Sequence, residues 1–276
     1  MTNLFNYIDR DSPIHRLTGA TKLVCLLLWS FAAMMTYDTR LLAVLPVLSV
    51  LLFAVSRIRL RDVRFMLVFT LVFMVLNNVL VFLFSPQHGV TLYGTKHVLF
   101  TLGGRYVVTK EQLFYHLNLM LKYFASIPIV LLFVCTTQPS EFAASLNRLG
   151  VKYTIAYSVS LALRYIPDIQ REYHDISQAQ QARGIEMSKK QTLLKRLISA
   201  SAILIPLILS SMDRIEVISN AMLLRGFGKK KKRTWYMGRP FCAQDFLAMA
   251  FCALLLLAAL WLNARNGGRF WNPFAS

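Results

Sequence analysis

Five apolar runs approach the roughly 20 residues that a helix needs to cross a hydrocarbon core about 30 Å thick. They are Ala20 to Tyr37, Leu41 to Val55, Phe65 to Phe84, Leu113 to Thr136 and Phe246 to Leu262. Inside a bilayer every backbone N–H and C=O must be bonded within the protein, so runs of this length dictate helices. The expected fold class is therefore an all-α membrane protein with about five transmembrane helices. The second run is short and must tilt little or borrow its flanks. Asn77 and Asn78 in the third are expected to face other helices, where an amide finds a partner more cheaply than in lipid. Composition agrees: of 276 residues, 56% are hydrophobic and only 16% charged, with a mean hydropathy of +0.49, too apolar for a soluble domain of this size.

The formal charge of +18 would suggest nucleic acid in a soluble chain. Here the basic residues border apolar runs, where the positive-inside rule and anionic lipid account for them. Arg10, Arg16 and Lys22 flank the first run; Arg57, Arg59, Arg61 and Arg64 follow the second; more than half of the 31 Lys and Arg lie between Thr137 and Ala243. The connection Asp38-Thr39-Arg40 holds one cation. This alternation predicts an inside amino terminus, five crossings and an outside tail at Gly267 to Ser276. It divides the chain into a transmembrane bundle at 1–136, a cytoplasmic coupling module of amphipathic helices at 137–243, and a last transmembrane helix with its tail at 244–276. Within the bundle, the outer connection 85–112 alternates through Leu92, Gly94, Lys96, Val98, Phe100 and Leu102 around Gly103-Gly104, which predicts a hairpin. The first nineteen residues carry Asp9, Arg10, Asp11, His15 and Arg16 with no small-residue cleavage site after the next apolar run, which argues against a cleaved signal peptide.

In the inner segment, Pro139-Ser140-Glu141 can start a helix and Leu149-Gly150 can end it. A second helix is expected to run towards Arg164-Tyr165-Ile166-Pro167, a third to follow from Asp168, and a long one to start near Lys190. Tyr153 to Leu163 and Leu197 to Leu209 are apolar but only about 11 and 13 residues long, too short to span. Pro206 weakens a simple span further. Four helices at or under the inner face are expected, followed by Lys229-Lys230-Lys231-Lys232-Arg233, a basic ledge held to anionic headgroups at roughly 1 kcal/mol per charge.

This segment contains a repeat. Ile176-Ser177-Gln178-Ala179-Gln180-Gln181-Ala182-Arg183-Gly184-Ile185 returns 42 positions later as Ile218-Ser219-Asn220-Ala221-Met222-Leu223-Leu224-Arg225-Gly226-Phe227. Each copy reads as a helix end, with glycine as the left-handed stop and a cation suited to the negative end of the helix dipole. Two readings stay open: the arginines serve only as caps, or Ala182-Arg183-Gly184 and Leu224-Arg225-Gly226 are paired prongs. A rigid, permanently charged guanidinium fork suits docking on carboxylates better than lysine would. Leu197, Ile203, Leu204, Leu207 and Ile208, with Met212 and Met222 nearby, are either a platform for another membrane protein or internal packing.

Other classes fit less well. His15, His88, His97, His116 and His174 are scattered, with no His-Glu-x-x-His and no phosphate-binding lysine loop, so surface or capping roles are expected for them. Glu172, His174 and Asp175 read as a solvated helix face. Cys25, Cys135, Cys242 and Cys252 show no metal spacing and read as buried reduced thiols. A self-sufficient permease or channel is the remaining alternative, although the crossings hold almost no ionisable group apart from Lys122.

Leu161-Ala162-Leu163-Arg164-Tyr165-Ile166-Pro167, Ala179-Gln180-Gln181-Ala182-Arg183-Gly184, Arg225-Gly226, Pro139-Ser140-Glu141-Phe142 and Ser12-Pro13-Ile14-His15-Arg16-Leu17 before Lys22 together resemble the transmembrane T component of energy-coupling factor transporters. The resemblance covers nearly the whole chain, and the paired X-Arg-X motif is its most specific part. It implies an uptake complex in which each motif ends a coupling helix seated on one of two ATP-binding subunits. A small membrane S component then carries a vitamin or metal ion. It further implies that ATP is bound by the partner subunits, with no cofactor, metal or catalytic residue in this chain. The second motif, Leu-Arg-Gly, departs from the common Ala-Arg-Gly and leaves open which arginine meets which subunit.

Overall fold

The computed structural model describes residues 10, 12–103, 106–185, 192–229, 234–235 and 238–273. In chain order the elements are α1 (Pro13–Arg16), α2 (Gly19–Met35), α3 (Thr39–Val55), α4 (Leu60–Phe84), α5 (His88–Tyr93), β1 (Val98–Gly103) and β2 (Tyr106–Thr109). They continue with α6 (Lys110–Thr136), α7 (Pro139–Arg148), α8 (Tyr153–Ala182), α9 (Leu193–Leu224) and α10 (Ala243–Arg265). The protein is an all-α membrane protein apart from one hairpin. It forms two compact units, one of Met1–Gln138 with Arg239–Ser276 and one of Pro139–Gly238.

The first unit contains the five expected apolar helices, α2, α3, α4, α6 and α10. Side-chain caps set three of their starts: Thr18 accepts from Thr21 N at the head of α2, Asp38 from Arg40 N at α3, and Thr109 from Gln112 N at α6. The core uses small residues, Ala32, Ala33, Ala125 and Ala259, which let α2, α6 and α10 approach closely around the buried Trp29. The indole N–H of Trp29 donates to Ala125 O at 2.9 Å. Pro128 inside α6 has no N–H to offer Phe124 O four residues earlier, and Ser49 of α3 donates its hydroxyl there at 3.0 Å.

One end of this unit gathers Thr18, Asp245 and the pair Lys22 Nζ to Thr136 O at 2.8 Å. The other gathers Asp38, which accepts from Asn266 Nδ2 at 2.9 Å, with Tyr37 stacked on Phe270 at 4.5 Å. Asn78 is buried; its Nδ2 bonds Met74 O of its own helix at 2.9 Å, whereas its Oδ1 has no hydrogen-bond partner among the described residues. The hairpin forms, with Val98 opposite Thr109, but starts later than the alternation suggested. Leu92 belongs instead to α5, which Gly94 closes at φ +70°. Residues 104 and 105 lie outside the described residues. Buried Glu111 of α6 binds the strand entry through His97 N at 3.1 Å and Thr95 Oγ1 at 3.0 Å.

Two expectations about side chains change. His97 is exposed as expected, with Nδ1 against Glu111 at 2.6 Å, whereas His15 is buried against Ser12 and His116 is half-buried between Gln112 O and Asn78 O. Of the four thiols, all free, Cys135 and Cys252 are buried, Cys25 is half-buried and Cys242 is exposed at the head of α10.

The described residues of the second unit form three helices, one short and two long, where four were expected. Pro167 does not separate two helices: α8 runs through it for 30 residues, because an interior proline removes one bond without forbidding the helix around it. In the same way α9 continues through Pro206 for 32 residues. The Ala202 carbonyl that Pro206 leaves without its usual donor accepts Gln180 Nε2 from α8 at 3.1 Å. By length and composition, 197–224 of α9 would suffice to cross a membrane, because the helix extends beyond the apolar run 197–209. Residue 190, where this helix was expected to begin, and the basic residues 230–233 lie outside the described residues.

Candidate functional site: two matched arginine ends

Both repeat copies end their helices in the same way. After α8, Arg183 has φ −82° and ψ 6°; after α9, Arg225 has φ −82° and ψ 7°. Gly184 and Gly226 follow in the left-handed region at φ +87° and +65°. Gly184 N donates to Gln181 O and Ile185 N to Gln180 O, each at 3.0 Å. Gly226 N donates to Leu223 O at 2.9 Å and Phe227 N to Met222 O at 3.0 Å. This paired pattern is the Schellman motif, and it needs a residue that accepts positive φ without strain. Ala182, Arg183, Gly184, Leu224 and Arg225 are exposed, with Leu224 at 90%, while Gly226 is half-buried. An almost fully exposed leucine next to an exposed arginine is apolar surface that none of the described residues covers.

The two helices run antiparallel. Gln180 meets Ala202, Glu172 meets Ser210 and Arg214, and Phe227 packs against Tyr157 with ring centroids 4.9 Å apart. The arginine ends therefore point in opposite directions. Each lies about three turns, or about 16 Å, beyond the Glu172–Arg214 contact, so they stand roughly 35 Å apart. Near the Arg225 end the unit closes with an aromatic cluster of Tyr153, Tyr157, Phe227 and Trp235, and the Trp235 indole donates to Asn147 Oδ1 at 3.1 Å.

The five residues expected as a platform divide. Leu197, Leu204 and Ile208 are exposed, whereas Ile203 and Leu207 are buried and belong to internal packing. The solvated-face expectation is overturned for Glu172. It accepts the Ser210 hydroxyl and Arg214 Nη2, the latter at 2.8 Å, while His174 and Asp175 do remain exposed. A signal was available beside the repeat: Glu172 and Arg214 each lie four positions before one copy, 42 apart like the copies themselves, with opposite charges. Among the described residues no three metal-ligating side chains come together.

Helices of this length and polarity, with two matched cationic ends, define a multi-pass cell-membrane protein. A profile of the CbiQ family, described as "Cobalt transport protein", matches residues 10–236. The chain is 30% identical to a protein of Bacillus selenitireducens named "Energy-coupling factor transporter transmembrane protein EcfT", over 95% of this chain and 97% of the relative. Relatives with the same name from Thermanaerovibrio acidaminovorans and Bacillus subtilis are 26% and 25% identical, covering 96% and 92% of this chain and 97% and 94% of theirs. The chain belongs to the CbiQ family, as an EcfT-like T component of energy-coupling factor transporters.

Proposed function

We propose that this protein is the transmembrane coupling scaffold of an ABC-type uptake transporter, carrying ATP-driven motion of two ATPase subunits to a small substrate-binding S component. Arg183 and Arg225, each with its exposed neighbour Ala182 or Leu224, dock on one ATPase subunit apiece. The observation that supports this most is the pair of identical, exposed caps facing opposite ways roughly 35 Å apart, a spacing suited to two separate receptors rather than one. A guanidinium at a rigid helix end offers a forked donor set that stays charged, so it holds a carboxylate while the partner moves. The chain contributes no catalytic group and no cofactor; ATP sits in the partner subunits. Leu197, Leu204 and Ile208 present the apolar surface for the S component, and the S component recognises the cargo, a vitamin or a metal ion. The module from 137 to 243 does this work at the cytoplasmic face, with the basic residues from Lys229 held to lipid headgroups.

Affinity purification of the tagged chain from its own membranes tests the proposal. The wild-type chain brings down two ATP-binding subunits and a small membrane protein, and the double variant Arg183→Ala/Arg225→Ala brings down neither ATPase. Full ATPase recovery with the double variant overturns the docking role. Substrate flux by the purified chain alone in vesicles would make it a permease instead.

A further inference from the structure

An internal repeat laid out on two antiparallel helices has a geometric consequence. The copies are related by a local two-fold, and residues at equivalent positions touch only where that axis passes. Glu172 and Arg214 are such a pair, 42 positions apart and in contact at 2.8 Å. They therefore mark the axis, midway between the two arginine ends. Identical side chains meeting themselves there would repel if charged; here the two copies have diverged to opposite charges, and Ser210 adds a second donor to the carboxylate.

The two sides of this crossing differ. On one side α8 and α9 are joined by the Gln180–Ala202 hydrogen bond. On the other an apolar cleft of about 500 Å³ lined by Leu161, Tyr165, Ile169, Ile215, Ile218 and Met222 parts them, before Phe227 meets Tyr157 at its far end with ring centroids 4.9 Å apart. An ion pair with empty apolar volume beside it can hold two helices together while they change angle, because the single Arg214 Nη2 to Glu172 contact fixes a point and the cleft offers room. Close-packed side chains would allow no such rotation.

We infer that the Glu172–Arg214 pair is the pivot that sets the spacing of the two arginine ends, with both residues acting as positioning residues. This rests on the coupling reading above for its purpose, but not for its geometry.

The test uses the full-length chain in lipid nanodiscs, with its native cysteines replaced and nitroxide labels at the equivalent exposed positions Gln178→Cys and Asn220→Cys. Pulsed electron resonance then reads the distance between the two ends. The otherwise unaltered labelled chain gives one narrow distribution. Glu172→Gln and Arg214→Gln each at least double its width, while ATPase pull-down through the untouched arginines stays within tenfold. The exchanged pair, Glu172→Arg with Arg214→Glu, restores the narrow distribution. Unchanged width in the single variants overturns the pivot. So does an exchanged pair that is as broad as the singles, or absent from the membrane. If the single variants fail to accumulate, the exchanged pair decides alone. Failure of the wild-type chain to bind any ATPase removes the coupling reading and leaves the label distances to judge the pivot.

Discussion

Asp245, in the first turn of α10, accepts the backbone N–H of Thr18 at 2.9 Å across 227 positions of sequence. Its other oxygen accepts Cys242 N at 2.8 Å, so one buried carboxylate caps its own helix and ties it to the head of α2. Asp245→Ala leaves two N–H groups short of an acceptor, each worth about 1–3 kcal/mol when buried. A loss of about 2–6 kcal/mol is expected, read as a lowered melting temperature in fluorescence-detected gel filtration. Asp245→Asn keeps one acceptor oxygen and loses about half as much.

Arginine at both ends is expected to be irreplaceable by lysine for docking but replaceable for folding. Loss of one charge-assisted bond is worth about 1.5–3 kcal/mol, which is one to two decades of affinity. Arg183→Ala and Arg225→Ala should each weaken ATPase binding by that amount in a titrated pull-down. The lysine variants keep the charge but lose the fork, and should fall between alanine and wild type at normal membrane abundance. Unaltered affinity in both alanine variants would reduce the arginines to helix caps.

Gly184 can be tested apart from its neighbour. Among the described residues nothing lies within 4 Å of where a Cβ would sit, so Gly184→Ala acts through φ, at about 1–2 kcal/mol. The cap loosens and ATPase affinity drops about tenfold, at about 1.4 kcal/mol per decade. Asn tolerates the left-handed region better, so Gly184→Asn should retain most of the binding. Equal effects of Ala and Asn would point to side-chain exclusion at the partner rather than to the cap.

Adjacent residues on α9 give opposite expectations. Leu204 is exposed and Ile203 is 1% exposed. Leu204→Arg should preserve abundance and ATPase binding but lose the S component, whereas Ile203→Arg should reduce membrane abundance itself. Loss of both partners with Leu204→Arg would make that face internal to the assembly.

Gln180 compensates for a proline. Gln180→Leu leaves the Ala202 carbonyl without its donor from α8, at a cost of about 1 kcal/mol. In a Pro206→Ala background the helix supplies its own N–H, so the same substitution should cost close to nothing. A double-mutant cycle on thermal stability measures the difference; equal costs in the two backgrounds would refute the compensation.

The apolar runs alone determined the helical membrane fold, because a bilayer leaves the backbone no other choice at that length. The repeat likewise specified both helix ends, since Arg-Gly followed by an apolar residue encodes a cap locally. What the chain could not declare by itself was contact between distant segments. Pro167 looked like a boundary and Pro206 like an obstacle to a span because their local effect is to remove a bond, and only Gln180, arriving from another helix at Ala202, shows how that loss is met at Pro206. Glu172 looked solvated because it does not converge with His174 and Asp175 on one point of a helix; its partner Arg214 lies on α9. Ile203 and Leu204 are equally apolar, and which of them faces inward depends on the rotation of α9 within the folded protein. Periodicity and caps are properties of a few consecutive residues, whereas crossing point, rotation and ion pairing are properties of two helices meeting, and those only the tertiary structure decided.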